Sequence, residues 1–323
     1  MRRSLAFLAG VLLLVGVFAL PASAADGDET FTISDSRITE SSGLAASRQH
    51  PGIYWTHNDQ DDGAYLYAVD SSTGKTVARI TMTGVGMPRD VEAIAIGPDN
   101  QIYVGDIGDN DGVTWSYVWI YQLPEPKNLT DQTVRATQYV VKYSDGSRDA
   151  ESMIVHPKTG RVYIIDKQED GGHLYEGPAK LSASGTNVFK PTAAVDLWAT
   201  DAAFSPDGEQ LAVRGYFGGI SYDWNGGKIK RQERISVPIG QGESVTYSVD
   251  GTKLMLGSEG VNSEVEARDA PDRPDGSDSS SGNGGSAASG GGEGDSEGLK
   301  VGAIAVVVTL GVGLWFRRIL RRS

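Results

Sequence analysis

The sequence predicts an all-β fold, a five-bladed β-propeller closed by an N-terminal strand, on three observations. An acidic residue leads a short apolar strand five times, at Glu40, Glu92, Glu151, Asp201 and Glu243, with spacings of 52, 59, 50 and 42 residues. The intervals hold several short strand patterns each, and recurrence at roughly 40 to 50 residues with several strands per unit marks blades around a central channel. No stretch between residues 30 and 267 sustains a helical period over three turns.

The elements follow in order. The first set reads SSGLAAS, GIYWTH, AYLYAVD and KTVARITM, with turn residues at Gln49 to Gly52, Asp59 to Gly63 and Ser71 to Gly74. The second reads VEAIAIG, QIYVGDI, SYVWIYQL and QYVVKY; the third reads ESMIVHP, RVYIID, HLYEG and AAVDLW; the fourth reads DAAFSP, QLAVRG, GISYDW and KIKRQERI. Alternation with β-branched and aromatic residues argues for strands in all of them. The fifth set holds only ESVTYS, KLMLGSE and SEVEAR, one strand short. Thr30 to Ser34 stands alone ahead of the first set and is expected to supply that strand, which leaves no unpaired ring edge. Six blades would need strands the sequence does not contain.

The ends read differently. Residues 1–24 carry Arg2 and Arg3, an apolar run and Ala22-Ser23-Ala24, the pattern of a cleaved signal peptide. The expected ectodomain covers 25–267. Residues 268–298 collapse to Gly, Ser, Asp, Glu and Pro and are expected to form a disordered tether. Residues 299–316 are expected to cross a membrane once, and the basic tail 317–323 to lie in the cytoplasm. This makes the chain a cell-membrane protein with an extracytoplasmic propeller, partnered with the bilayer through its C-terminal helix.

The chain has no cysteine, so the exported part must be held by core packing rather than disulfides. Between residues 25 and 298, 22 Lys and Arg face 42 Asp and Glu, a net −20. Such a surface disfavours nucleic acid and favours cations or basic partners.

The turn AAFSPDGEQLAV, echoed in AIGPDNQIYV, VHPKTGRVYI and TYSVDGTKLM, resembles the SPDG hairpin of WD40-like and TolB-like propeller repeats. SSGLAAS, WTHND, VEAIA and VGDIGDN are similar to the SdiA-regulated and phytase-esterase-like groups of secreted bacterial propellers. The resemblance covers most of residues 38 to 260 and implies the fold far more than the activity. The Trp-Asp dipeptide of eukaryotic WD40 blades is absent, so their scaffold role is not carried over.

If first strands line the channel, the five leading acids and the ends of the second strands share one mouth. Those ends bring Asn58 and Asp59, Asp106 with Asp109, Asp166 and Lys167, Arg214, and Glu259. Such a cluster needs protons, internal pairing of Lys167 and Arg214 with Asp166 and Asp201, or a bound cation. Glu40, Glu92, Asp106, Asp109, Glu151, Asp166, Asp201 and Glu243 are the candidate metal ligands. Ca²⁺ suits an all-oxygen donor set, and Asp106, Asp109 and Asn110 in DIGDN form the leading single-loop candidate. Asn58, Asp59, Lys167, Arg214 and Glu259 are candidates for ligand contact.

The sequence singles out no nucleophile. Ser41, Ser42, Ser152 and Ser244 follow the leading acids without a partnering His, and local bonding to backbone is their commoner role. His57, Lys167 and Arg214 are the catalytic candidates, the first as general base and the others as anion stabilisers. His156 falls in a turn and is expected to be exposed. Trp115 is a candidate for a channel-side wall. The expected function is a binding module with an acidic, cation-holding mouth, whose ligand is a small molecule or a protein. The alternative is a metal-dependent hydrolase of phosphoesters, esters or lactones; a glycosidase would need two carboxylates flanking a sugar, which five acids cannot single out.

Overall fold

The computed structural model describes residues 28–59, 62–110, 112–238 and 241–272. The expected signal peptide and membrane helix lie outside the described residues, as does nearly all of the expected tether. Among the described residues no helix is long and apolar enough to cross a membrane.

Twenty-one strands and one short 3-10 turn at Pro98–Asn100 make up the described chain. The strands are β1 (Phe31–Thr32), β2 (Ser41–Ala46), β3 (Ile53–Asn58), β4 (Tyr65–Asp70), β5 (Lys75–Thr83), β6 (Val91–Ile96), β7 (Gln101–Asp106), β8 (Val118–Pro124), β9 (Gln132–Arg135) and β10 (Thr137–Tyr143). They continue as β11 (Ala150–Val155), β12 (Val162–Asp166), β13 (Gly172–Glu176), β14 (Thr186–Val195), β15 (Ala199–Phe204), β16 (Gln210–Gly215), β17 (Gly218–Asn225), β18 (Lys228–Ile235), β19 (Gly242–Tyr247), β20 (Lys253–Ser258) and β21 (Glu264–Asp269).

These strands pair as antiparallel meanders: β2-β3-β4-β5, β6-β7-β8-β10, β11-β12-β13-β14, β15-β16-β17-β18, and β19-β20-β21 with β1 as the outer strand. The inner strands neighbour one another in a closed order, β2, β6, β11, β15, β19 and back to β2. The fold is a β-propeller, and β1 pairs Phe31 with Val265 where the sequence lacked a strand.

Three details depart from expectation. β9 adds a parallel strand outside β5, and β10 pairs in parallel with β14, linking two neighbouring meanders at their outer edge. β14 starts at Thr186 rather than at Ala193, running through Pro191. The pairing with β13 shifts register there, and a bulge tolerates a residue that cannot donate a ladder hydrogen bond. β21 runs to Asp269, two residues into the span assigned to the tether, and Ala270 N–H still bonds Thr252 C=O. Residues of low hydrophobicity continue the strand because β20 supplies the ladder.

The core lies in layers between neighbouring meanders. Trp55, Leu66 and Ile80 pack against Ile94, Val104 and Tyr121, whereas Ala93, on the opposite face of β6, packs with Met153, Ile164 and Phe189. Alternation along each strand therefore serves two flanking cores at once. The polar ends are stapled as well: Trp55 Nε1 donates to Glu125 Oε1 at 2.8 Å, and Ser47 Oγ donates to the same oxygen at 2.5 Å.

Candidate functional site

The mouth is built by a defect repeated in every inner strand. Pairing slips between Val91 and Ala93, between Ala150 and Ser152, between Ala199 and Asp201, and between Gly242 and Ser244, with a related slip between Ser41 and Leu44. A β-bulge leaves one residue out of the ladder and re-aims its side chain. The residues left out are Glu92, Glu151, Thr200 and Glu243, with Ser42 and Gly43 in β2. Thr200, not Asp201, is thus the positional equivalent of the three glutamates. Glu40 precedes β2 as Asp90 precedes β6 and Asp149 precedes β11.

This displacement explains how the five leading acids fare. Glu92, Glu151 and Glu243 are buried, and each feels the charge of at least one other. Asp201, also buried, accepts Val245 N–H and its neighbour Ala202 N–H, both at 2.8 Å, tying β15 to β19. Glu40 is half-buried, and its backbone N–H donates to Asn58 Oδ1.

The ends of the second strands form a repeated staple. Asn58 Oδ1 accepts Thr39 and Glu40 N–H; Asp106 accepts Arg89 and Asp90 N–H together with Tyr121 Oη; Asp166 accepts His173 N–H. Asp106 and Asp166 therefore fasten loops. Asp109 does likewise, its Oδ2 accepting Trp115 N–H at 2.6 Å. Gly108 is the residue of DIGDN that approaches the acids: a Cβ there would fall 2.5 Å from Asp90 Oδ2 and 2.7 Å from Glu92 Oε1. Asn110 is only partly buried beside it.

Asp59, Asp90 and Glu92 come together at the junction of β3 and β6. Each offers an oxygen within 4.8 Å of the others, an arrangement that could hold a metal ion. Glu92 Oε2 accepts Ser42 Oγ at 3.1 Å, while the buried Oε1 has no hydrogen-bond partner. Burial first, then the charges of Asp59, Glu151 and Asp90, hold the Glu92 carboxyl well above the ordinary carboxylate range.

The two cations take other partners than Asp166 and Asp201. Lys167 Nζ pairs with Glu151 and lies 5.3 Å from the Tyr216 ring. Burial alone would lower the Lys167 ammonium, but Glu151, Tyr216 and Glu92 raise it, so it stays charged. Arg214, 1% exposed, donates to Ser244 C=O and Gly257 C=O, both at 2.8 Å, and burial lowers it to about 10. Glu259 lies near enough to Glu243 to raise it.

Both notable histidines are buried. His57 is pushed down to about 4 by burial and lies against Gly43 in β2, its Nδ1 near Asn58 C=O. His156, expected to be exposed, accepts Lys158 and Thr159 N–H at Nδ1 and packs on Phe204, because a turn of this type needs an acceptor inside it. Trp115 stacks on Arg89, whose guanidinium lies 3.8 Å from that ring and 3.7 Å from Trp119.

Sequence reasoning missed Asp90, Asp149 and Tyr216, and weighed Ser42 only as a nucleophile rather than as the donor to Glu92. A signal existed: Arg89-Asp90-Val91-Glu92 recurs as Arg148-Asp149-Ala150-Glu151. In both, the arginine anchors outward, Arg148 on Tyr175 Oη and Asp145, while Asp and Glu belong to the mouth.

No family model matches the sequence, and no curated relative matches it. Solved structures with a similar fold include the hydrazine synthase of Kuenenia stuttgartiensis, at 13% identity over 71% of this chain and 83% of that one, TM-score 0.40. Another is a protein from Lactobacillus plantarum, at 14% identity over 71% and 70%, TM-score 0.39. The periplasmic gluconolactonase of Pseudomonas aeruginosa is similar at 14% identity over 67% of this chain and 64% of that one, TM-score 0.41, so this chain spans less than two thirds of it. Likenesses this distant say nothing of activity.

Proposed function

We propose that the chain is a five-bladed propeller displayed on the outer side of a membrane, and that its mouth binds Ca²⁺ and serves as a ligand- or partner-binding module. The observation that carries the cation is the group Asp59, Asp90 and Glu92, with a buried, unpartnered oxygen on Glu92. Two like charges 4.8 Å apart repel by about 3.5 kcal/mol at an effective dielectric of 20. A divalent cation removes that cost. The donors of the group are hard carboxylate oxygens with no histidine nitrogen among them, which favours Ca²⁺ over Zn²⁺.

Calorimetric titration of the chelator-stripped, full-length chain with CaCl₂ should give saturable binding. Glu92→Gln should weaken it at least ~tenfold with the circular dichroism spectrum unchanged. Absence of heat and of any thermal shift with Ca²⁺, Mg²⁺ or Mn²⁺ removes the cation. For the display, protease added outside intact cells should digest the propeller; full protection would place it on the other side.

A second reading is hydrolysis of phosphoesters, esters or lactones at the same cation. Lys167, a buried ammonium beside Glu151, favours it, since a fixed positive charge can stabilise an anion. Chelator-sensitive turnover of a generic substrate panel would establish this reading, and its absence leaves the binding module.

A further inference from the structure

Among the described residues three strands end the sheets on the outside of the ring: β1 with two residues, β9 with four and β18 with eight. The outer strands β10 and β14 close each other by parallel pairing. β18 is therefore the long outer edge that no strand covers, and such an edge presents a row of N–H and C=O groups to any chain that can pair with them.

The register of β18 says which groups are open. Gly226 and Gly227, at φ of +59° and +90°, suit the two-residue turn of a tight hairpin, so Asn225 and Lys228 exchange hydrogen bonds. Alternation makes Asp223 and Lys230 the next bonded pair and leaves Ile229 and Arg231 with N–H and C=O directed outward. Trp224, opposite Ile229, agrees, since its own N–H turns away from β18 to Glu209 C=O. A bulge between the pairs Tyr222–Arg231 and Ile220–Arg234 then ends the regular ladder.

The charge of this edge opposes that of the molecule. β18 carries Lys228, Lys230, Arg231 and Arg234 against the single acid Glu233, all exposed, in a chain whose exported part is strongly acidic. Arg231 pairs with Asp196; among the described residues no ion pair engages Lys228, Lys230 or Arg234. Lys228 and Lys230, two apart, stand on one face of the strand, while Ile229 on the other face packs against the core beside β17.

We propose that β18 accepts an acidic, extended segment of another protein as an added strand, hydrogen-bonded through Ile229 and Arg231 and carrying carboxylates against Lys228 and Lys230. Backbone pairing supplies affinity and the side chains supply selection. Lysines on an open edge repel a second basic strand, β18 of another copy included, and a neutral strand gains nothing from them. An acidic strand gains from both the ladder and the charges. This edge is the outermost strand of its meander and shares no residue with the Asp59, Asp90 and Glu92 group, so the proposal does not rest on the cation.

The test titrates the full-length chain, in uncharged detergent, with a fluorescent peptide of about eight residues alternating Glu and Val. Two controls are the same peptide with methylated backbone nitrogens and its counterpart with Lys in place of Glu. The acidic peptide should bind saturably and more weakly as NaCl rises, and both controls should bind at least ~tenfold more weakly. Lys230→Glu should cost at least ~tenfold in affinity. Arg231→Pro should cost as much while Arg231→Ala stays within ~threefold, because an outward N–H is where proline removes the open donor and spares the pairing with β17. Circular dichroism and melting temperature should match the parent chain. Should Arg231→Pro disturb the fold, the methylated peptide still decides. No binding, equal binding of the methylated or the Lys peptide, uptake on phosphatidylglycerol vesicles in place of the peptide, or a dimer of the chain alone that Lys230→Glu abolishes overturns the proposal. Peptide binding by a chain that takes up no Ca²⁺ removes only the cation, and Ca²⁺ uptake without peptide binding removes only the added strand.

Discussion

Carboxyl groups buried against one another make this protein's stability a function of pH. Burial pushes Glu151 up to about 7, with Lys167 opposing, from an unfolded value near 4.5. Glu92 and Glu243 move the same way, first through burial and then through neighbouring acids. Between those values the folded chain keeps protons that the unfolded chain has released, so stability is full below about 4.5 and falls as pH rises toward 7. The melting temperature in chelator should therefore drop between pH 5 and pH 7.5. Added Ca²⁺ should reduce that drop, because it binds the ionised form. A flat profile would show that these carboxyls are not titrating as their burial demands.

Short elements carry the next level of specification. The hairpins at Ser205 and Ser248 are nearly identical: each serine hydroxyl donates to the aspartate two residues on, at 2.6 Å, and accepts the N–H of the following strand. Gly208 and Gly251, at φ of +70° and +77°, complete these turns. The chain spells this device openly. The staples at Asn58, Asp106 and Asp166 are hidden, since a carboxamide or carboxylate at a strand end reads equally well as a ligand. Asp106→Ala would orphan Arg89 N–H, Asp90 N–H and Tyr121 Oη. A loss of about 2 to 3 kcal/mol is expected in urea unfolding, with weaker Ca²⁺ affinity because Asp90 is on the released loop. Unchanged affinity alongside the stability loss would separate the staple from the cation.

Closure governs the whole molecule. β1 is two residues long, yet Phe31 and Ile33 are buried, and Ser34 N–H reaches Gly74 C=O in the first meander. Burial of two such side chains is worth about 4 kcal/mol, and β1 also covers the open edge of β21. A chain beginning after residue 34 should unfold at lower urea and self-associate in size-exclusion chromatography. If it stays monomeric with an unchanged midpoint, β1 does not close the ring. The parallel contacts β5–β9 and β10–β14 add links that no alternation could reveal, because a parallel partner comes from a distant part of the chain.

The sequence by itself determined the strand-rich class, the order of the strand sets, the missing strand and its donor, and the acidic character of one end. Those are properties of local alternation, turn chemistry and charge, each readable within a few residues. Only the tertiary structure decided which acids meet. A one-residue bulge replaces Asp201 with Thr200 in the ring of displaced side chains, and a loop brings Asp59 from β3 to Asp90 and Glu92 at β6. Lys167 likewise reached Glu151 rather than the adjacent Asp166. Register and side-chain direction are set by pairing across strands, so the identity of neighbours at the mouth is a property of the folded ring and not of spacing along the chain.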